Sequence, residues 1–410
     1  MAIEWKKVRL GEICDYVTSG GTPLASRNDY YNPPVIPWLK TKEVNYSRIT
    51  KTENFISQKG LDNSSAKLIP ENSVIIAMYG QGDTAGRVAI NKIPLTTNQA
   101  CCNFIIDKEK ADYNFIYYQL CTLYDKMVSL KSGGAQPNLN AGKLKELEIA
   151  LPPLEIQQKI AGILSAYDDL IENNRKQIKL LEEAAQKLYK EWFVKLNFPG
   201  HENVKIVDGI PEGWVYKKLD KVFNYVRGRS YSSDELSETK GTLFVNLKNI
   251  QAFGGYKRNA EKRYLGVYKT EQTITSGDIV LGVTDMTKER RLVGSVAQIP
   301  ELGETATFTM DLIKLEPYEI TKNFLYSSLR FGGISRQISP LANGVNVLHL
   351  KPEALNQVGM LIPDAKLIQH YDEFYEPIRL KIERVQKEIQ LLQSARDKLL
   401  PRLMNGDINA

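Results

Sequence analysis

The chain is written twice, so any fold it adopts must place two copies of one plan. The segment from Trp5 through Lys6-Lys7-Val8-Arg9-Leu10 to Tyr16-Val17 returns from Trp214 through Lys217-Lys218-Leu219 to Tyr225-Val226. Leu39-Lys40 recurs as Leu247-Lys248, Gly86-Arg87-Val88-Ala89 as Gly294-Ser295-Val296-Ala297, and Asn114-Phe115 as Asn323-Phe324. The stretch 149–153 matches 360–364, and all these offsets lie between 208 and 211 residues.

Each copy has two parts. Residues 1–153 and 199–363 mix short β-branched and aromatic runs, such as Val74-Ile75-Ile76 and Ile279-Val280-Leu281, with Gly, Pro, Asn and Ser turns, the pattern of a mixed α+β head. Residues 154–198 and 364–410 carry a helical period with almost no breakers, and are read as long helices. In the first, Ile156, Ile160, Ile163, Tyr167, Ile171, Ile178, Leu181 and Leu188 recur at steps of three and four or their multiples; in the second, Leu367, Tyr371, Phe374, Ile378, Ile382, Val385, Ile389, Leu392 and Leu399 do so. Such a stripe is the seam of a coiled coil. Two matching stripes most simply bury each other, and the competing arrangement packs each stripe on its own head. Pro377 interrupts the second stripe, so that helix is expected to bend or begin there.

Chain reach sets the direction. A helix of about 39 residues is roughly 58 Å long, whereas a link of about 15 residues, 199–213, spans at most roughly 50 Å. Antiparallel pairing follows, in an α+β fold of two tandem pseudo-symmetric units with the heads at opposite ends.

The 410 residues are 42% hydrophobic and 25% charged, with Lys+Arg 54 against Asp+Glu 48, which excludes disordered and fibrous classes. The net charge of +6 divides as +3 on 1–153, +3 on 199–363 and none on either helical segment. Two weakly basic heads on neutral helices suit a duplex contacted at two places. Cys14, Cys101, Cys102 and Cys121 form no Cys-x-x-Cys pair and do not combine with His201, His349 and His370 at metal-ligand spacing. No apolar run approaches the roughly 20 residues of a membrane helix, so a reducing cytoplasm is expected.

Catalytic motifs are weak. Asn32-Pro33-Pro34-Val35 is like the Asn-Pro-Pro-aromatic motif of adenine-N6 methyltransferases, but Val35 cannot stack on a base and no Gly-rich cofactor turn precedes it. Gly80-Gln81-Gly82 lacks phosphate-loop spacing, and Asp220 with Glu238-Thr239-Lys240 only loosely suggests a metal nuclease. The chain reads as non-enzymatic. What remains is recognition. The turn Ser19-Gly20-Gly21-Thr22 offers N–H and hydroxyl donors for phosphate. Gln136 and Asn138, in the segment 133–138, carry amides suited to adenine edges, and Asn343 and Asn346 hold the matching place in the second copy. Lys40, Lys42, Arg87, Lys248 and Arg290 are expected on phosphates, and Gln81, Gln136, Asn138, Asn249 and Asn346 on bases, with Arg227, Arg229, Thr284 and Arg291 as further contacts.

Taken together, Trp5 to Pro23, 36–40, Ser132-Gly133-Gly134-Ala135-Gln136-Pro137-Asn138 leading into 151–160, Pro211-Glu212-Gly213-Trp214, 277–287 and the ending 398–408 resemble the DNA-specificity subunit of type I restriction-modification systems, over essentially the whole chain. The resemblance implies two target-recognition domains, 1–153 and 199–363, each reading half of a split double-stranded DNA sequence. It implies helices, 154–198 and 364–410, that fix the spacer and dock two modification subunits and the restriction subunits. S-adenosylmethionine, ATP and Mg²⁺ are implied for those partners and no cofactor for this chain. Arg227-Gly228-Arg229-Ser230 departs from the Gly-Gly-Thr-Pro turn of the first copy. Two other readings are a coiled-coil scaffold without DNA function and a degenerate adenine methyltransferase.

Overall fold

The β-branched runs become strands buried on both faces. The structure, a computed structural model, describes residues 5–131, 138–258, 260–287 and 289–408. The chain divides into two compact units, one of residues 1–172 with 390–410, the other of 173–389.

In the first unit a five-stranded sheet runs in the order Cys14–Ser19, Cys101–Ile106, Val74–Ala77, Val88–Asn91, Ser47–Ile49, antiparallel except for the last pair. All residues of the three central strands are buried. Alternation sorts them between two cores. Val74, Ile76, Val88, Ile90, Cys102 and Phe104 join a core with Phe115 and Ile116 of the helix Tyr113–Thr122. Ile75, Ala77, Ala89 and Cys101 face the other way, toward Leu39, Ile69 and Leu95 of a second, four-stranded sheet. A strand with apolar neighbours on both sides needs an unbroken apolar run, which is how these segments read.

The second unit repeats the plan. Phe223–Arg227, Leu312–Pro317, Ile279–Gly282 and Val296–Gln298 form a sheet in that order. Ile279, Leu281, Val296, Ile313 and Leu315 share a core with Phe324 and Leu325 of the helix Lys322–Phe331, while Val280, Ala297 and Leu312 face Val245, Ala306 and Phe308 of a second sheet. The two covering helices start on matching caps: Asp112 Oδ1 accepts from Phe115 N at 2.9 Å, and Thr321 Oγ1 from Phe324 N at 3.1 Å.

The long helices are Leu154–Tyr189, continued by a π-helical turn over Lys190–Val194, and Ala365–Met404. Each contributes residues to both units. In the first unit Ile160, Ala161 and Leu164 share the head's core with Leu403 and Met404, and Arg396 ion-pairs with the buried Asp168, which also accepts from Tyr118 Oη at 2.6 Å. In the second, Trp192 packs on His370, Tyr371 and Phe374 at ring distances of 5.4, 6.0 and 5.7 Å. Glu182 there lines one small cavity with Tyr375, Arg379 and Ile382. In either unit one helix descends as the other ascends, the expected antiparallel pairing. The two expected arrangements coexist: the helix segments pack on each other and on the head of the same unit.

Two expectations change. Ile163 and Phe374 are 38% and 50% exposed; the neighbouring Leu164 and Tyr375 take the buried places. Of the remaining seam positions, Ile160, Ile171, Leu367, Tyr371 and Val385 are buried, and Ile156, Tyr167, Ile178, Leu181, Leu188, Ile378, Ile382, Ile389, Leu392 and Leu399 are half-buried. Pro377 neither starts nor ends the second helix, which begins on an Asp364 cap accepting from Lys366 N and Leu367 N at 3.0 Å each. Pro377 is exposed, so water can satisfy the carbonyl that its missing N–H leaves free.

Replacing Arg396 by Ala strands the Asp168 carboxylate in a side-chain environment only 9% exposed. The expected cost is about 3–5 kcal/mol, read as a lower urea midpoint. A midpoint equal to that of the unaltered protein would mean that the pair adds nothing.

Candidate nucleic-acid interface

Strand direction gathers the candidate residues at one end of each head's first sheet. In the first unit, Cys14–Ser19 and Val74–Ala77 both run antiparallel to Cys101–Ile106. The exits of the first two strands and the entry to the third therefore lie together, bringing Ser19–Thr22, Met78–Gln81 and Asn98–Ala100 to one edge. Leu139 N donates to Met78 O at 3.0 Å and brings exposed Asn138 to the same edge. Gln136 lies outside the described residues.

The second unit builds the corresponding edge from 227–230, 283–285, 309–311 and 349–352, and Arg227, Gly228, Ser230, Thr284, Met310 and Lys351 are among the residues that line an open cleft of about 440 Å³ there. Leu350 N donates to Val283 O at 2.8 Å, as Leu139 does to Met78. Gly228 holds the place of Gly20: its N–H donates to Leu312 O at 3.2 Å, and that of Gly20 to Cys101 O at 3.3 Å.

The geometry reassigns several residues. Gly20 and Gly21 are buried, and the close approach they permit is to their own chain. A Cβ at Gly20 would stand 2.2 Å from Thr97 O, one at Gly21 2.2 Å from Ala66 N, and one at Gly228 2.1 Å from Thr309 O. The exposed donor of this turn is Thr22, whose hydroxyl meets the Gln99 side chain; Ser19 is half-buried. Asn249, 0% exposed, spends its amide on Asn246 N at 2.9 Å and Lys257 O at 3.0 Å, so it cannot read a base. Thr284 is buried in the cleft wall at 6% exposure. Asn32 donates to Asn28 Oδ1 at 2.6 Å, so its amide is engaged internally.

Other cations are partly committed. Arg87 donates to Asn45 Oδ1 at 3.0 Å and Asp83 Oδ1 at 2.5 Å. Lys42 pairs with Glu53, and Lys40 Nζ sits 4.8 Å from the centre of the Trp38 ring. Arg227 bonds Glu353 at 2.7 Å, Arg229 donates to Tyr264 Oη at 3.3 Å, and Arg290 to Ser339 O at 3.1 Å. Arg291 lies 3.7 Å from Glu289. Exposed Lys248 and Lys257 instead flank an open groove of about 720 Å³ together with Lys262.

Sequence reasoning passed over Asp285, the organiser of the loop that carries Met286, Arg290 and Arg291. Its carboxylate, 0% exposed, accepts from Leu292 N at 2.6 Å, Val293 N at 3.0 Å and Thr287 N at 2.7 Å. Burial pushes this carboxyl up, and the hydrogen bonds from Leu292, Thr287 and Val293 more than offset that, holding it below its usual range. Asp311, His349 and Lys351 also line the cleft, and no motif announced them. Among the described residues no group of acidic, His or Cys side chains is arranged to hold a metal, and no helix is long and apolar enough to cross a membrane.

Residues 2–183 match the type I restriction modification DNA specificity domain. The type I restriction enzyme MjaIX specificity subunit of Methanocaldococcus jannaschii is 29% identical over 421 residues, 99% of this chain and 94% of that one. Over its whole length the chain is thus similar to type I restriction-modification specificity subunits. The MjaVIII specificity subunit of the same organism is 25% identical, over 99% of this chain and 93% of its own. The crystal structure of a specificity subunit from M. genitalium shares the fold, with a TM-score of 0.61 and 17% identity over 97% of this chain and 96% of that one. These relatives are named as specificity subunits, the non-catalytic component of such systems, which favours the non-enzymatic reading over the methyltransferase reading of 32–35.

If the glycine turns serve packing, Gly20→Ala and Gly228→Ala should each destabilise the protein by more than about 1 kcal/mol, since a backbone atom blocks each new methyl. Thr22→Ala should leave the melting temperature unchanged. A Gly228→Ala protein as stable as the unaltered one would contradict the packing role.

Proposed function

We propose that this chain is a type I specificity subunit that reads a split duplex DNA target, one half with the sheet end of 1–153 and the other with that of 199–363. The long helices set the spacer between the halves. One observation carries the reading: the same sheet end is built twice, and each time it gathers exposed amides and cations on loops, away from the two cores. Loops held by a buried scaffold are the usual place for recognition.

Phosphate contacts fall to Lys40, Lys42, Lys248, Lys257, Lys351 and the arginines, which fix register without discriminating sequence, and base edges to Gln81, Asn138 and Asn346. Ion-paired Arg87 and Arg227 can exchange their exposed carboxylates for phosphate at little cost, because exposed pairs are weak. Docking of two modification subunits and of restriction subunits falls to the outer faces of the helices. Support comes from large apolar side chains left uncovered there: Ile163, Leu170 and Leu391 in the first unit, Leu180, Phe374 and Leu380 in the second. S-adenosylmethionine, ATP and Mg²⁺ belong on this reading to the partner subunits, and the complex works in the cytoplasm.

Assembled with its modification subunits, the full chain should hold one split site over competitor DNA at moderate salt, where nonspecific binding collapses. Absence of any preference would leave only a scaffold. Inserting one whole turn into both long helices should lengthen the tolerated spacer and leave both half-sites unaltered, as read from the methylated adenines of cellular DNA; an unchanged spacer would refute the ruler.

A further inference from the structure

Three large apolar side chains lie uncovered around the cleft of the second head. Met286 is 74% exposed, Met310 56% and Val345 99%. Met310 lines the cleft itself. Met286 follows the strand Thr284–Asp285, which pairs with Leu348–His349. Val345 projects from the loop between Asn343 and His349, a finger closed at its base by Asn343 N to His349 O at 3.0 Å and His349 N to Asn343 O at 2.8 Å.

The finger's shape is imposed. Gly344 has φ 147°, and a Cβ there would stand 1.9 Å from Val347 O. A bend that accepts only glycine therefore holds a β-branched side chain wholly in solvent, where it adds nothing to either core. One lone exposed valine is ordinary; its setting is what gives this one a meaning. On either side of it stand two exposed amides. Asn343 Nδ2 donates to Leu341 O at 3.2 Å, and Asn346 has no side-chain partner among the described residues. Beside them the cleft supplies the cations Arg227 and Lys351.

This set matches one partner. In the major groove an A·T pair presents adenine N7 and N6 to an amide and, on the same edge, the thymine C5-methyl to an apolar side chain, whereas a G·C pair has no methyl. The minor groove carries no methyl at all. Resting on the reading of this chain as a DNA-recognition subunit, we infer that the finger 343–349 is the base-reading element of the second head. Val345 reads an A·T pair of its half-site through the thymine methyl, and Asn346 offers its amide to the adenine of that pair. Arg227 and Lys351 hold the flanking phosphates, and Asp285 positions the neighbouring loop that presents Met286.

The test uses the full chain assembled with its modification subunits, on duplexes bearing the target found from methylated sites. Each thymine of both half-sites is replaced in turn by deoxyuridine, which lacks only the methyl. At one thymine of one half-site the replacement should weaken binding about fourfold, the worth of one buried methyl. Val345→Ala should bind the intact and substituted duplexes equally, and Val345→Thr, which keeps a methyl, should restore part of the difference. Val345 lies outside both cores, so the melting temperature should not move. If no thymine shows a Val345-dependent loss while the intact site is still bound selectively, the finger assignment falls and the DNA reading stands. A loss in Val345→Ala that ignores the methyl, as for a wedge between base steps, also overturns it. If the unaltered chain shows no selectivity for the intact site, the DNA reading fails and the assignment with it.

Discussion

Each head rests on a sheet that must be buried on both faces. The strands Val74–Ala77 and Ile279–Gly282 expose no residue to solvent, so a partner layer has to lie on either side. The second sheet of each head supplies one layer. The other needs more apolar surface than the short helices Tyr113–Thr122 and Lys322–Phe331 provide, and the long helices complete it. Leu403 and Met404, close to the end of the chain, enter the core built around Phe104 and Phe115, and Tyr189, Trp192 and Phe193 enter the core around Phe324. At roughly 1.5–3 kcal/mol for each large apolar side chain buried, these insertions are a main source of each unit's stability. The first unit joins 1–172 to 390–410, and the second, 173–389, takes in part of each long helix, so the unit boundaries fall inside the helices and not at the edges of the charged heads.

That arrangement leaves most of the polar side chains at each sheet end free of structural duty. The cores lie between the sheets and against the helices; Met78, Leu139, Val283 and Leu350 anchor the strand-exit loops in them, while exposed side chains such as Gln81, Asn138, Asn346 and Lys351 stand outside. Where a loop must be firm, a buried polar group does the work. Asp285 ties three backbone N–H groups of 287–293, and Asn249 ties Asn246 and Lys257. Such internal use of polar groups is required by burial, since an unpaired buried donor or acceptor is costly. It also explains why Asn249, a candidate base reader, proved to be structural.

The duplication, the α+β heads and the two long helices were legible because they rest on many residues at once. Strand and helix periods average over errors, and the offsets repeat along the chain. Single positions were less legible. The seam was misplaced at Ile163 and Phe374 because Leu164 and Tyr375, equally apolar, stand beside them, and steps of three and four admit either phase. Gly20 and Gly21 signalled close backbone approach correctly, but not what approaches, and that depends on the strands carrying Thr97 and Ala66. Val345 left no trace, since a valine in a sequence reads as core until its exposure is known.

The two sheet ends share a scaffold and differ in what it presents. Gly21 and Arg229 occupy equivalent places, the N–H of the first donating to Thr97 O at 2.9 Å and that of the second to Phe308 O at 2.7 Å. At Gly21 a side chain is excluded by Ala66 N and Ser65; at Arg229 the side chain is exposed and bonded to Tyr264. One backbone hydrogen-bond pattern thus accepts either no side chain or a guanidinium, depending on how closely a neighbouring segment passes. Duplication therefore keeps the backbone frame of the sheet end, and divergence of the loops against it changes the chemistry that this end presents. On the proposed reading, two unlike half-sites on one repeated fold follow from that separation of frame and contact.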